Sequence, residues 1–146
     1  MTALTNIPAE RQHMHHETNT RNLIANMNPR LHAKEYVFCS VDPTLPTADL
    51  GFEPIGWFRE SEAVPIILDR GSADSAGLSY GIVLSMISLE VFSSLRTVGF
   101  LAAITSKLAL AGVSANPTSA YHRDHIFVPR DEASRAPTIL RDIMDE

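Results

Sequence analysis

The order of patterns after residue 82 constrains this chain more than any other feature. Ile82–Phe92 carries apolar residues at 87, 89 and 91 and polar ones at 88 and 90, the period of a half-buried strand. Val98, Leu101, Ile104, Leu108 and Ala111 then recur three and four apart, which is one face of a helix. Thr97 is placed to cap that helix and Gly112 to end it. Val113–Ala120, interrupted by Pro117, and Ile126–Val128, closed by Pro129, read as two further strands. A last helix starts at Asp131 and turns Ile139, Leu140, Ile143 and Met144 inwards. Pro137 lies inside that pattern and must kink the helix or mark its true start. Strand, helix, strand, strand, helix is a ferredoxin-like βαββαβ unit short of one strand.

The first half holds pieces that can supply it. Leu23, Ile24 and Met27 outline a short helix over Thr20–Met27, ended by Pro29. Tyr36–Val41 reads as a strand, followed by a loop carrying Pro43 and Pro46. Trp57–Glu60 and Val64–Asp69 read as a strand pair joined by the turn Glu60–Ala63. Pro65 cannot donate to a ladder, so it should face an edge or a bulge. A helical turn at Ser72–Ala76 stops at Gly77. The expectation is an α+β chain in three parts. A flexible arm spans residues 1–19, a degenerate unit 20–81 and a more complete unit 82–146. Units of about 60 residues are too small to be stable separately, so they should share one sheet or core.

Composition removes several functions. The chain has 146 residues, 45% of them hydrophobic, and a formal charge of -5. A nucleic-acid surface would be basic, so no nucleic-acid partner is expected. The best apolar run, Val98–Val113, is broken by Lys107 and is too short to span a bilayer. The single cysteine, Cys39, permits no intrachain disulfide, fits a reducing cytoplasm and reads as a small buried hydrophobe. Met1–Gln12 lacks the basic and apolar regions of a secretory signal. Short His-rich tracts can bind metal. His13-Met14-His15-His16 has no cysteine nearby and reads as part of a solvated arm. Neither a metal nor a cofactor is expected.

Four segments together carry a resemblance. They are Glu60-x-Glu62 before an apolar strand, Ser93-Ser94-Leu95-x-x-Val98-Gly99, Gly112-Val113-Ser114-Ala115-Asn116, and Tyr121-His122-Arg123-Asp124-His125-Ile126-Phe127-Val128-Pro129. The set resembles a group of small bacterial proteins of unknown function built from two ACT-like units. It covers roughly Leu23 to Ile143, and its most specific string ends in Asp124–Pro129. Three points depart from the pattern: Ala63-Val64-Pro65, Pro117 and Arg123. The first puts the usual shape of the Glu60–Glu62 turn in doubt.

The resemblance implies two ferredoxin-like units with antiparallel sheets, the N-terminal one degenerate. It also implies a non-catalytic regulator or sensor that binds a small metabolite, such as an amino acid, and forms a homo-oligomer. ACT ligands usually sit between units, near the loop from the first strand to the first helix. The matching loop is Phe92–Gly99. There Ser93, Ser94, Val98 and Gly99 would meet a ligand carboxylate at a helix N-terminus. Asn116 would add a donor and an acceptor. Glu60, Glu62 or Asp124 would meet an amino group, and His125 would make further contact or a hydrogen bond across the unit interface.

Two rival readings remain open. One is a protein–protein interaction module whose pocket has degenerated, motivated by Pro65 and Pro117. The other is an enzyme using His122, Asp124 and His125, which requires both imidazoles to face one solvent-reachable cleft. Ser93-Ser94 lacks a Gly-x-Ser-x-Gly elbow, and Gly71–Gly81 lacks a phosphate-loop spacing.

Overall fold

A computed structural model describes residues 5–7, 17–44 and 51–146. The expectation about the His13–His16 tract lies outside the described residues. The elements in chain order are α1 (Thr20–Asn26), β1 (Pro29–Val41), β2 (Gly56–Trp57), β3 (Val64–Asp69), α2 (Arg70–Ser75), β4 (Leu84–Leu89), α3 (Phe100–Leu110), β5 (Asn116–Ser119), β6 (Asp124–Pro129) and α4 (Arg135–Met144). A short 3-10 turn at Arg130–Glu132 precedes α4.

The strands form one antiparallel sheet in the order β2-β3-β1-β4-β6-β5. A ferredoxin-like βαββαβ unit has its first strand beside its fourth, giving the order 4-1-3-2. Starting at β4, the elements β4-α3-β5-β6-α4 are completed by β1, in the spatial order β1-β4-β6-β5. Starting at β1, the elements β1-β2-β3-α2 are completed by β4, in the order β4-β1-β3-β2. Each unit therefore borrows its closing strand from the other. The N-terminal unit is degenerate because no helix is seen among the described residues between β1 and β2.

Local chemistry explains most boundaries. Asn19 caps α1 by accepting the Asn22 N–H, and Asp69 caps α2 by accepting the Ser72 N–H. Pro137 is the third residue of α4, where a backbone donor has no intrahelical acceptor, so it marks a start and makes no kink. The carbonyl of Pro65 accepts from the Phe58 N–H at 3.2 Å. Its missing donor therefore points towards β2, the two-residue edge strand, and the ladder to β1 is spared.

Three expectations are corrected. The first strand is not Tyr36–Val41 but thirteen residues from Pro29, because Pro29–Leu31 pair with Ile87–Leu89 beyond an irregularity at Leu31/Glu35. The strand read as half-buried, β4, is buried at all six positions, since it is a central strand with helices over one face and the side chains of Tyr36, Phe127, His32 and His125 packed around it on the other. The α3 helix begins after Gly99 (φ 90°) and is not capped by Thr97, whose hydroxyl bonds instead to the Glu17 carbonyl.

All four helices lie on one face. Under α1, α3 and α4, Leu23, Ile87, Leu89, Ile104, Leu108, Ile126 and Leu140 form the larger core. Under α2, Val37, Cys39, Ile66, Leu68 and Ala73 form the smaller one. Cys39 is thus buried as expected, and burial raises its thiol pKa. The other face carries Tyr36, Leu84, Met86 and Phe127, with Ile67 packed against them. This face is strongly concave. In a flat sheet, β2 and β5 would stand about 24 Å apart at ~4.8 Å per strand, yet Phe58 and Thr118 line the same cleft.

Candidate functional site

The loop after β4 meets the start of α3 around a cavity of about 130 Å³, lined by Ser93, Ser94, Gly99, Phe100, Ser119 and Asp124 among others. The first α-helical bond runs from the Ala103 N–H to the Gly99 carbonyl. The N–H groups of Phe100, Leu101 and Ala102 precede it, and all three residues line the cavity. Gly99 has no side chain to cap them, and its positive φ is easy only for glycine. A Cβ built there would meet nothing within 4 Å, so the space beside Gly99 is not filled by side chains.

Asp124 forms the opposite wall. It is 3% exposed and accepts from the Ser93 hydroxyl at 3.1 Å and the Ser119 hydroxyl at 2.6 Å. The cavity thus sets a buried carboxylate against helix N–H donors, a pairing that suits a molecule bearing both an anionic and a cationic group.

The loop is held from outside. The Ser93 N–H donates to the His122 carbonyl at 3.0 Å. Glu17 bridges Ser93 as a short parallel pair: its N–H donates to the Phe92 carbonyl and its carbonyl accepts from the Ser94 N–H. Thr20 donates from its hydroxyl to the Val98 carbonyl at 2.7 Å. Residues 17–20 therefore strap the mouth of the site.

Of the expected site residues, the structure gathers Ser93, Ser94, Gly99 and Asp124. It does not gather the rest. Val98 is 86% exposed and outside the cavity lining. Asn116 pairs with Phe127 on the concave face and lines a different cleft, with Phe38 and Leu84. Glu60 and Glu62 belong to the β2–β3 turn, closed by a Glu60 N–H to Ala63 carbonyl bond of 3.1 Å. That turn is the counterpart, in the other unit, of the β5–β6 turn, where the Ala120 N–H reaches the Arg123 carbonyl at 3.2 Å. A hydrogen bond from its own backbone N–H, with the Ser61 hydroxyl next, holds the Glu62 carboxyl below its usual range.

His125 follows Asp124 on β6 and so points to the opposite face. Its Nδ1 lies 2.7 Å from the Ser88 hydroxyl, and His32 Nε2 lies 2.6 Å from the same oxygen. One ring must accept from that hydroxyl while the other donates to it. This bridge ties β6 through β4 to β1, across the two units. Burial, with Arg123 next, lowers the His125 pKa; burial, with Arg30 next, lowers that of His32. Glu90 pairs with both arginines, and its bond to Arg30 (2.8 Å) holds its carboxyl low. Asp124 and His125 therefore do not share a cleft. Among the described residues no cluster of metal-ligating side chains is present, and no helix is long and apolar enough to cross a membrane.

Sequence reasoning missed Ser119, Phe100–Ala102 and Glu17. Ser119 stands across the hairpin from Asp124, a position deducible once the turn is known. Glu17 offered no signal, because its contribution is backbone pairing.

Residues 16–85 and residues 81–142 each match the family described as the ACT domain. The chain is a tandem ACT-domain protein. The two ACT matches overlap at residues 81–85, where the shared strand β4 begins. The tandem ACT protein is similar over 85% of its length to 94% of a Vibrio cholerae protein of unknown function, described as a possible transport protein, with 39% identity and a TM-score of 0.76. It also shares its fold with Agrobacterium tumefaciens protein Atu0741 (13% identity, TM-score 0.66, covering 80% of this chain and 87% of that one). The regulatory subunit of aspartate kinase from Thermus flavus has the same fold (12% identity, TM-score 0.60, covering 80% and 96%). A search of curated proteins gives no match. The resemblance expected from the sequence and the ferredoxin-like fold it implied both hold. ACT domains are regulatory and ligand-binding, and that general role extends to this chain.

Proposed function

We propose that this tandem ACT protein binds a small zwitterion, an amino acid in the first instance, in the β4–α3 cavity and regulates another protein without catalysing a reaction. The observation that carries this reading is the cavity between the uncapped start of α3 and the buried Asp124. The N–H groups of Phe100–Ala102 receive the ligand carboxylate. Asp124 receives the ammonium group, and Ser93, Ser94 and Ser119 position it. Gly99 keeps the approach open. A cavity of this size takes a compact molecule and excludes a nucleotide.

The acting form is a homo-oligomer in the cytoplasm. Leu95 and Val98, 68% and 86% exposed, rim the site, and a second copy placed over them would close it. A chain with one buried cysteine suits a reducing compartment.

The test is a thermal-shift screen of the twenty amino acids and common small metabolites, followed by calorimetry on hits. A ligand at 100 times its Kd adds about 2.7 kcal/mol of stability, and Asp124→Asn abolishes the shift. Flat melting temperatures across the screen would overturn the reading.

A further inference from the structure

The two edges of the sheet differ. On β5, the Ala120 N–H to Arg123 carbonyl bond sets the alternation of the ladder, so Pro117, opposite Ile126, faces outward. Its missing N–H leaves that edge without a donor where a further strand would need one. On β2, the Phe58 N–H donates to the Pro65 carbonyl. Trp57, one residue back and opposite Ile66, therefore turns its N–H and carbonyl away from β3. β2 ends the sheet, and no strand among the described residues takes those two groups.

The open edge adjoins a cleft of about 340 Å³ on the concave face, lined by Phe38, Gly56, Phe58, Glu60, Ile67 and Thr118 among others. The Trp57 side chain does not build this cleft, because Trp57 lies opposite Ile66 on the helix-covered face. We infer that the edge and the cleft together dock an extended segment of a partner protein. The segment adds to β2 as an outer strand, lays a large apolar side chain over Gly56 and brings a basic one to Glu60.

Three observations support the assignment. The exposed groups are a main-chain donor and acceptor, which an extended peptide matches and a helix, its own groups already paired, does not. Gly56 leaves a gap on the cleft side. A Cβ built there would meet only Ile67 Cδ1, at 3.6 Å, so a side chain from a neighbouring strand can lie over the glycine onto Ile67. Phe58, 73% exposed, flanks that position. Glu60 supplies charge complementarity, since its carboxylate takes part in none of the ion pairs among the described residues.

A second copy is a poorer occupant. Thr118 of β5 lines the same cleft as Phe58, so the curled sheet leaves room beside β2 for a single strand and not for another whole sheet.

The probe is a fluorescein-labelled peptide, Thr-Lys-Thr-Val-Thr-Phe-Thr, followed by polarisation. Laid antiparallel to β2, it sets its lysine opposite Glu60, its valine opposite Phe58 and its phenylalanine opposite Gly56. Binding should saturate. N-methylation of the threonine between valine and phenylalanine, which faces Trp57, should weaken it by about tenfold or more. N-methylation of the valine, whose N–H points away, should not. Glutamate in place of the lysine should bind more weakly. Trp57→Pro removes a donor that no strand uses, so it should keep the melting temperature of Trp57→Val yet lose the peptide that Trp57→Val retains. Asp124→Asn should leave the affinity unchanged.

The inference fails if polarisation does not saturate. It fails equally if both N-methylated peptides bind alike, since the contact would then be merely apolar, and this arm needs no variant to fold. Glutamate and lysine peptides of equal affinity, or equal binding by Trp57→Pro and Trp57→Val, would also overturn it. A loss with Asp124→Asn would move the peptide to the β4–α3 cavity. A dimer of the peptide-free protein in sedimentation that Trp57→Pro breaks would give the edge to a second copy.

Discussion

Asp124 shows how much one buried side chain can organise. Both its oxygens accept hydroxyl bonds, one from the loop after β4 and one from β5. Asp124→Ala leaves the buried Ser93 hydroxyl and the Ser119 hydroxyl without their acceptor, and should cost about 1–3 kcal/mol, read as a lower denaturation midpoint at unchanged slope. His125 behaves differently because the strand turns it to the other face. Both His125 and His32 have lowered pKa values in the fold, chiefly through burial. The unfolded chain then takes up protons more readily as pH falls below the ordinary histidine value of about 6.5. Stability should be complete above that pH and decline below it until the folded-state values are passed. Urea midpoints between pH 7.5 and 5 test this, and His125→Asn should flatten the decline. Asp124 and His125 were legible as a pair in the sequence. Their separation was not visible there, because which face a strand residue takes depends on the register of the whole ladder.

At the scale of elements, caps and prolines were readable and burial was not. Asn19, Pro137 and Gly112 act where local chemistry places them. Gly112 adopts φ 76° while the Val113 N–H closes on the Leu108 carbonyl at 2.9 Å. The start of α3 was misjudged because Thr97 is a better intrinsic cap than Gly99, yet the Thr97 hydroxyl is taken by Glu17. The expected face of that helix shifts accordingly: Phe100, Ile104 and Leu108 are buried, while Val98 is exposed. Gly99→Ala should destabilise by about 1–2 kcal/mol, even though space for a methyl is open, because the cost lies in the positive φ. Comparing denaturation midpoints of Gly99→Ala and Gly81→Ala tests this, since Gly81 has open space without a positive φ and should change little.

For the whole molecule, the consequence of exchanged strands is cooperativity. The two units hold β1 and β4 in common, so neither has a complete sheet alone. Ile87 lies at the centre of β4 and is fully buried. Ile87→Ala should cost about 2–5 kcal/mol and lower one common transition, with far-ultraviolet and near-ultraviolet circular dichroism moving together. Separately expressed residues 17–81 and 82–146 should each fail to give a cooperative melt. Two separate transitions in the Ile87→Ala protein would contradict strand sharing.

The sequence by itself determined the element types, the α+β class, the ACT resemblance and the loop that builds the candidate site. Those depend on periodicity, capping and turn chemistry, which act over a few residues. Only the tertiary structure decided that β1 and β4 are exchanged between units, that Glu60, Glu62 and Asn116 lie away from the β4–α3 cavity, and that Phe58 and Thr118, from opposite edges of the sheet, line one cleft. Those depend on pairing between residues far apart in the chain and on the curl of six strands, and no local pattern carries either.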